Sequence, residues 1–172
     1  MKKKTFLVTL LLFIVFLNSS MLIVSLVTLR EQISAEKEKV LAEHYVISSG
    51  ILGDMQAVKN RGGDVKASMG EMMRNYSRYS QNRDNKFAVS CGEEWIWQSG
   101  ERTPGENPGS FFAEINQSER MVFIRREPAW QLCVYGRFPA PFQEYGLWYC
   151  SGLSDTLESW RDMKNMLFTV NT

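Results

Sequence analysis

The chain has 172 residues, 44% of them hydrophobic and 12% aromatic, so it is neither disordered nor of low complexity and has room for one compact domain beside a membrane segment. Residues 1–29 contain three of the 20 Lys+Arg and none of the 19 Asp+Glu, so residues 30–172 hold 17 basic against 19 acidic side chains. This near-neutral outer part excludes the concentrated basic face of a nucleic-acid-binding protein, and its one dense basic group (Arg120, Arg125 and Arg126) is interpreted as a solvated strand edge.

The first element is an apolar segment from Phe6 to Leu29, 24 residues without a charge. As a helix it would be about 36 Å long, more than the roughly 30 Å hydrocarbon layer of a bilayer. The lysines at positions 2–4 indicate the cytoplasmic end. We therefore expect residues 1–5 in the cytoplasm, a transmembrane helix over 6–29, and residues 30–172 outside the cell membrane.

A cleaved signal peptide is the alternative interpretation of this segment, with Phe6–Leu17 as its apolar region. Such peptides end in small residues, whereas here apolar residues resume at Met21–Val24, where cleavage would occur. The pattern favours an uncleaved anchor.

A long helix is expected to continue from Arg30 to about Asn60, because the composition favours helix and Gly62-Gly63 follows as a stop signal. Apolar residues and one histidine recur along it at seven-residue intervals, a pattern typical of helix pairing. This predicted dimer stripe consists of Ile33, Val40, His44, Ile47, Ile51 and Val58. Asp64 can then cap a second helix from Val65 to about Tyr79.

Five strands are predicted after a polar turn at residues 81–85. They are Lys86–Cys91, Glu94–Ser99, Arg120–Arg126, Trp130–Phe138 and Tyr145–Gly152. Residues 100–109 should form an exposed loop, residues 111–115 are too short to assign, and residues 127–129 should form a turn. Asp155 can cap a final helix that runs to the end. The order predicts an α+β fold, with a five-stranded antiparallel sheet flanked by helices.

This layout resembles the extracytoplasmic PAS-like (PDC, single-Cache) sensor domains of bacterial histidine kinases and chemoreceptors. The resemblance is carried by the anchor Phe6–Leu29, the continuous helix after Arg30, the hairpin Phe87–Trp97, and the closing stretch Tyr149–Asp155 with the helix Thr156–Val170 behind it. It implies a sensor domain over residues 30–152, and residues 153–172 as a helix leading toward a second membrane segment. The chain would then be the input part of a longer receptor or a truncated relative.

The resemblance also implies a ligand pocket and one cysteine pair. In PAS-like order the first and last strands are neighbours in the middle of the sheet, which favours a Cys91–Cys150 disulfide over other pairs. The alternative is that Cys91, Cys133 and Cys150 are three small buried hydrophobic residues. An apolar cup over the sheet could be lined by aromatic residues and one arginine that binds a carboxylate. These candidate ligand-binding residues are Tyr135, Arg137, Tyr145, Trp148 and Tyr149.

No catalytic, metal or cofactor site is expected in the sequence. The single histidine, His44, lies on the helical stripe and is interpreted as a packed residue, so a serine-based mechanism has no suitable base. The cysteines form no C-x-x-C pair, which argues against zinc. Any enzyme activity would belong to a longer parent chain, a sensor histidine kinase.

The leading hypothesis is therefore signal input across the cell membrane, in response to an unknown small molecule or envelope signal. Partners would be the lipid bilayer and a second copy of the chain, paired in parallel through the long helix. Two alternatives stay open: a bitopic envelope scaffold and a pilin-like structural subunit. The pilin interpretation lacks the Gly-Phe processing site and the early Glu, since no Glu precedes Glu31.

Overall fold

The computed structural model describes residues 2–80, 85–100, 107–115, 120–126 and 129–169. Its elements in chain order are α1 (Lys2–Asn60), α2 (Val65–Arg74), a 3₁₀ helix (Ser77–Ser80), β1 (Lys86–Cys91), β2 (Glu94–Gln98), α3 (Pro108–Glu114), β3 (Arg120–Arg125), β4 (Gln131–Arg137), β5 (Tyr145–Gly152) and α4 (Ser154–Thr169). The predicted α+β layout, a long apolar N-terminal helix followed by a five-stranded antiparallel sheet with helices, is confirmed.

The N-terminal part of α1 can cross a membrane by length and composition, and within the described residues it is the one helix that meets this test. Its apolar side chains from Phe6 to Phe16 are exposed. Its polar side chains bond to carbonyls of the same helix: Thr9 Oγ1 donates to Thr5 O at 3.0 Å, and Asn18 Nδ2 donates to Ile14 O at 2.9 Å. Such bonds lower the cost of placing these polar side chains in a hydrocarbon layer.

Helix α1 ends at the predicted residue because Gly62 takes the left-handed conformation, with φ of 73°. The following Gly63 N–H donates to Val58 O at 3.0 Å, which satisfies a carbonyl at the helix end. Asp64 then caps α2, since its carboxylate accepts from the N–H groups of Lys66 and Ala67 at 2.9 and 3.3 Å. Helix α2 is shorter than predicted, because the chain tightens into the 3₁₀ helix before Tyr79.

The sheet has the order β2-β1-β5-β4-β3, with every neighbouring pair antiparallel. Strands β1 and β5 are neighbours inside the sheet, as predicted, and this order is compatible with a PAS-like fold. The predicted bounds of β1 and β5 are confirmed; β2 and β3 are one residue shorter at the C-terminal end, and β4 is one residue shorter at each end. Residues 81–84, 101–106, 116–119 and 127–128, which include most of the predicted loop and turns, lie outside the described residues.

The two faces of the sheet bury different groups. One face, called the α1 face, contacts the part of α1 after Lys37 and buries Phe87, Val89, Val134 and Leu147. The other, called the α3 face, contacts α3 and has its own cluster of Ala88, Phe111, Ile115, Cys133, Tyr135, Trp148 and Cys150, against which Trp95, Met121 and Phe123 pack. Alternation along each strand divides the side chains between the faces.

The predicted dimer stripe proves to be the core-facing side of α1. Val40, His44, Ile47 and Ile51 are at most 1% exposed within the single chain, while Ile33 and Val58 are partly exposed and lie beyond them. The prediction of a dimer contact is therefore wrong for these four central residues, because they are already buried within one chain; a dimer contact through Ile33 and Val58 stays a prediction. An apolar stripe on a helix has the same spacing whether it packs on a sheet or on another helix.

The structure also separates two tryptophans that strict alternation would place on one face of β2. A bulge sets Trp97 opposite Val89 and Trp95 opposite Ser90, so one residue of β2 is skipped. Trp97 consequently packs on Phe87 of the α1 face, with ring centroids 5.0 Å apart. Trp95 packs into the cluster on the α3 face.

The chain divides into two compact units. The helical unit consists of α1 up to Glu36 together with α4. The sheet unit runs from Lys37 to Leu153 and contains α2, α3 and all five strands.

Candidate functional site

The five candidate ligand-binding residues do not come together in one pocket. Tyr135 and Trp148 lie in the cluster of the α3 face. Tyr145 and Tyr149 alternate with Trp148 along β5 and therefore face the other way. Arg137 donates from Nε and Nη2 to the carbonyl oxygen of Gln143 at 3.2 and 2.9 Å. Ligand binding by any of the five stays a prediction.

The α3 face is a packed aromatic layer around Tyr135. The Tyr135 ring stacks on Phe111 with centroids 4.9 Å apart and meets Trp95 edge-on at 6.5 Å. Its hydroxyl lies 3.0 Å from Ser90 Oγ, and burial raises the pKa of Tyr135 to about 12. A Cβ on Gly146 would collide with this hydroxyl, so the glycine provides the space that the tyrosine fills. A fully buried, neutral phenol of this kind stabilises the core.

The disulfide joins Cys133 and Cys150, so the predicted Cys91–Cys150 pair is wrong. Cys133 and Cys150 are directly opposite each other on β4 and β5, with Cα atoms 4.1 Å apart and side chains on the same face. Cys91 is free and lies opposite Tyr145, at the other end of the β1–β5 ladder. The expected strand neighbours were right, but register decides which sulfur atoms meet.

Two adjacent residues of α1 make the polar contacts between that helix and the sheet. The Tyr149 hydroxyl donates to the Glu43 carboxylate at 2.5 Å, and His44 Nε2 lies 3.1 Å from the carbonyl oxygen of Leu147. Both acceptor and donor groups on the sheet side belong to β5. Glu43 was not predicted as a functional residue from the sequence. The only sign of its role was its position next to His44 of the apolar stripe.

His44 is neutral in this position. Burial, followed by the positive charge of Arg120, lowers the pKa of His44 from 6.5 to about 4, although the bond to the Leu147 carbonyl acts in the other direction. Because a carbonyl oxygen can only accept, Nε2 carries the proton and Nδ1 is a bare acceptor. Nδ1 is buried and has no hydrogen-bond partner among the described residues.

A cavity of about 240 Å³ lies beside His44, between α1 and the ends of β3 and β4. We call it the Arg120 cavity, and its lining residues are His44, Tyr45, Ser48, Ser49, Leu52, Arg120, Gly136, Arg137, Phe138 and Pro139. Among these described residues two are arginines and none is acidic. The cavity therefore has a positive character suited to an anion.

A larger cavity of about 450 Å³ lies between the end of α1 and α2. Two of its charged groups bond within the chain: the Asp54 carboxylate accepts from the Tyr76 hydroxyl at 2.9 Å, and Arg61 Nε donates to Ala57 O at 3.1 Å. Partial burial and the bond to Asp54 raise the pKa of Tyr76. These contacts attach the helix end to α2.

In the helical unit, a hydrogen bond connects α4 to α1. Trp160 Nε1 donates to the carbonyl oxygen of Ser25 at 2.9 Å, and Lys164 Nζ lies 5.3 Å from the centre of the same indole. Tryptophan with a bonded N–H is common at membrane–water interfaces.

No group of three or more His, Cys, Asp and Glu side chains within the described residues could hold a metal ion. No protein-family model matches the sequence, and no curated protein matches it either.

Proposed function

We propose that the chain is the extracytoplasmic signal-input region of a membrane receptor, of the two-component sensor histidine kinase type. The observation that carries this proposal is the continuity of α1 from Lys2 to Asn60. Its first part can cross a membrane, and its last part packs on a sheet whose strand order is compatible with a PAS-like fold. A receptor needs such a direct mechanical link from a sensing fold to the bilayer.

Two features support an outward-facing sheet unit. The lysines at positions 2–4 favour a cytoplasmic N-terminus. The Cys133–Cys150 disulfide favours an oxidising compartment, because cytosolic thiols are normally kept reduced. With a cytoplasmic N-terminus and a single crossing by α1, the sheet unit lies outside the cytoplasm. The disulfide favours the same location.

Signal transmission would use the two helices that leave the sheet. Strand β5 contributes the groups that bond Glu43 and His44 of α1, and only Leu153 separates β5 from α4. A ligand that displaces β5 would therefore alter both connections. In the helical unit the Trp160–Ser25 bond gives α1 and α4 a defined contact, which a signal would change.

We further propose that the chain pairs as a homodimer through the side of α1 that faces away from the sheet. Residues spaced like those of a coiled-coil seam are exposed along this side: Ala42, Val46, Gly53 and Gln56. Val46 is 51% exposed. With Val46→Cys in a Cys91→Ser background, oxidation in membranes should give a disulfide-linked dimer, whereas Lys66→Cys on α2 should not. Monomers from both variants would contradict this surface.

The location is tested by labelling intact cells with an impermeant maleimide, again in the Cys91→Ser background. Lys66→Cys, on an exposed position of α2 outside the proposed dimer surface, should be labelled before lysis, and Thr5→Cys only after it. Labelling of Thr5→Cys alone in intact cells would reverse the orientation and remove the receptor proposal.

The signalling role is tested in a receptor that joins this chain to a second membrane segment and a kinase region. Trp160→Ala should change the kinase output without any ligand, because it removes the bond to Ser25. Met166→Ala on an exposed position of the same helix is the control. Unchanged output from both variants would favour an envelope scaffold.

A further inference from the structure

Two places on the sheet unit expose large hydrophobic side chains within the described residues. One is on α1, at Tyr45 and Val46, beside the proposed dimer surface. The other is the end of the β3–β4 hairpin, where Ile124 is 47% exposed and Trp130 is 42% exposed. Trp130 is the exposed one among the five tryptophans of the chain, since the other four are partly or fully buried. This end of the hairpin is therefore a candidate contact surface.

The hairpin end combines these apolar groups with positive charge. The guanidinium of Arg126 lies over the Trp130 ring, 4.9 Å from its centroid, and residues 124–130 hold two arginines and one glutamate, a net charge of +1. Tryptophan and arginine side chains are suited to the boundary between lipid headgroups and acyl chains, because the apolar part enters the hydrocarbon side while the polar group stays at the headgroups. We call this surface the hairpin tip, and it consists of Ile124, Arg125, Arg126, Ala129 and Trp130.

The hairpin tip lies at the end of the sheet unit where the chain leaves it. Arg125, Gln131 and Gly152 are directly opposite one another across β3, β4 and β5. The Leu153 N–H donates to Trp130 O at 2.8 Å. Because Leu153 is the last residue of the sheet unit, the exit from that unit is beside the tip.

The chain also enters the sheet unit at this end, because α1 and β5 run in opposite directions. Glu43 is bonded to Tyr149 near the end of β5, whereas Lys59, further along α1, lies over Phe142 just before β5 begins. The part of α1 before Glu43, back to Lys37 at the start of the sheet unit, therefore extends toward the end of the sheet that carries the hairpin tip.

The connection from the apolar segment to the sheet unit is short. The apolar segment ends at Leu29, and residues 30–36 continue the same helix up to the sheet unit. As helix these residues extend about 11 Å, and the headgroup layer on one side of a bilayer is roughly 5–8 Å thick. The end of the sheet unit that carries the tip is therefore within reach of lipid headgroups when the apolar segment spans a bilayer.

We propose that the hairpin tip docks on the bilayer surface from which α1 emerges. Trp130 and Ile124 enter the boundary between headgroups and acyl chains, and Arg126 pairs with lipid phosphate. The inference rests on the proposed membrane anchor and on no other part of the proposed function. Because the anchor already holds the sheet unit at the bilayer, the second contact is intramolecular, and a small apolar surface with a net charge of +1 is sufficient for it.

The first experiment measures how close the tip is to lipid headgroups in nanodiscs that hold one copy of the full chain. Ala129→Cys in a Cys91→Ser background carries the fluorophore, since Cys133 and Cys150 are paired with each other. Lipids with a spin label on the headgroup should quench this fluorophore. They should not quench the same fluorophore at Glu144→Cys, an exposed position just before β5 begins. Equal quenching at both positions, or none at Ala129, would overturn the proposal.

A fluorophore at Phe13→Cys separates this inference from the proposed anchor. Phe13 is an exposed side chain of the apolar segment, so lipids with a spin label on the acyl chain should quench a fluorophore at this position when α1 spans the bilayer. Quenching at Phe13 without quenching at Ala129 would reject the docking of the tip and leave the anchor in place. No quenching at Phe13 would reject the anchor together with the docking.

The second experiment uses the Ala129 fluorophore to test the chemistry of the contact, in discs that contain the anionic lipid phosphatidylglycerol. Arg126→Gln should lower the ratio of docked to undocked chains, read from the quenched and unquenched fluorescence lifetimes, by about fivefold. Trp130→Ala should bring the quenching close to that at Glu144, whereas Val46→Ala, at an exposed apolar position of α1, should leave it unchanged. Equal effects of Trp130→Ala and Val46→Ala would reject the tip as the contact. Shielding of the Ala129 fluorophore from water only in discs with two chains would show that a second copy covers the tip, which would also overturn the proposal.

Discussion

Lowering the pH from 7 to 4 is expected to destabilise the sheet unit through His44. The pKa of His44 is about 4 in the folded chain and about 6.5 in the unfolded chain. As the pH falls, the unfolded chain therefore takes up the proton first, which favours unfolding. The contribution of the neutral histidine is complete above pH 6.5 and is lost progressively toward pH 4. At about 1.4 kcal/mol for each unit of pKa difference, the loss is roughly 3 kcal/mol.

His44→Gln is the variant that isolates this contribution, since its amide can still donate to the Leu147 carbonyl but does not titrate. Urea unfolding of the full chain in nonionic detergent, followed by tryptophan fluorescence, gives the free energy of unfolding at pH 7 and pH 4.5. Carboxylates protonate in both proteins, so the difference between the two proteins reports on His44. Glu43 is bonded to Tyr149 and not to His44.

The unmodified chain should lose about 2 to 3 kcal/mol more than the variant between the two pH values. A difference between the two proteins that is the same at both pH values would refute the reasoning. It would mean that the histidine is hydrated or protonated in the folded chain.

Three further predictions use the same unfolding measurement at pH 7. Cys150→Ala opens a disulfide between residues 17 apart and should cost about 3 kcal/mol, as should reduction of the unmodified chain, whereas Cys91→Ala should change little; equal effects would place the pairing elsewhere. Gly146→Ala should cost about 1–3 kcal/mol, because its Cβ would overlap a buried hydroxyl, while Gly53→Ala, with open space around it, should stabilise by up to about 1 kcal/mol; equal signs for the two would contradict the packing. Tyr149→Phe leaves a carboxylate of α1 without its donor and should cost about 1–3 kcal/mol, and a smaller cost would show that water replaces the hydroxyl.

Local patterns predicted the elements with good accuracy. The glycine pair after Asn60 ends α1 as expected, and the hydrophobic runs of β1 and β5 give the predicted bounds. The short helix α3 was not assigned, since its seven residues contain two aromatic residues and two glycines or prolines, but Asn107 caps it through a bond to Gly109 N at 3.0 Å. Neighbouring residues were therefore sufficient to predict the bounds of most of these elements.

The candidate site was predicted much less well. Arg120 was interpreted as part of a solvated edge, and His44 as a packed residue; the packing is correct, but the cavity beside both was not foreseen. The Cys91–Cys150 pair and the four central residues of the dimer stripe were predicted wrongly for a related reason. Each depends on which surface or which strand position lies opposite, and a one-residue difference in register reverses that relation.

The sequence by itself determined that the first helix is long and apolar enough to span a membrane, the α+β class and the ends of most elements, because hydrophobic length, period and capping residues act over a few neighbouring positions. Only the tertiary structure decided that α1 turns its apolar stripe toward its own sheet, that Cys133 reaches Cys150, and that His44 and Arg120 border one cavity. Those relations join residues far apart in the chain, and their free energy comes from packing that no local segment contains.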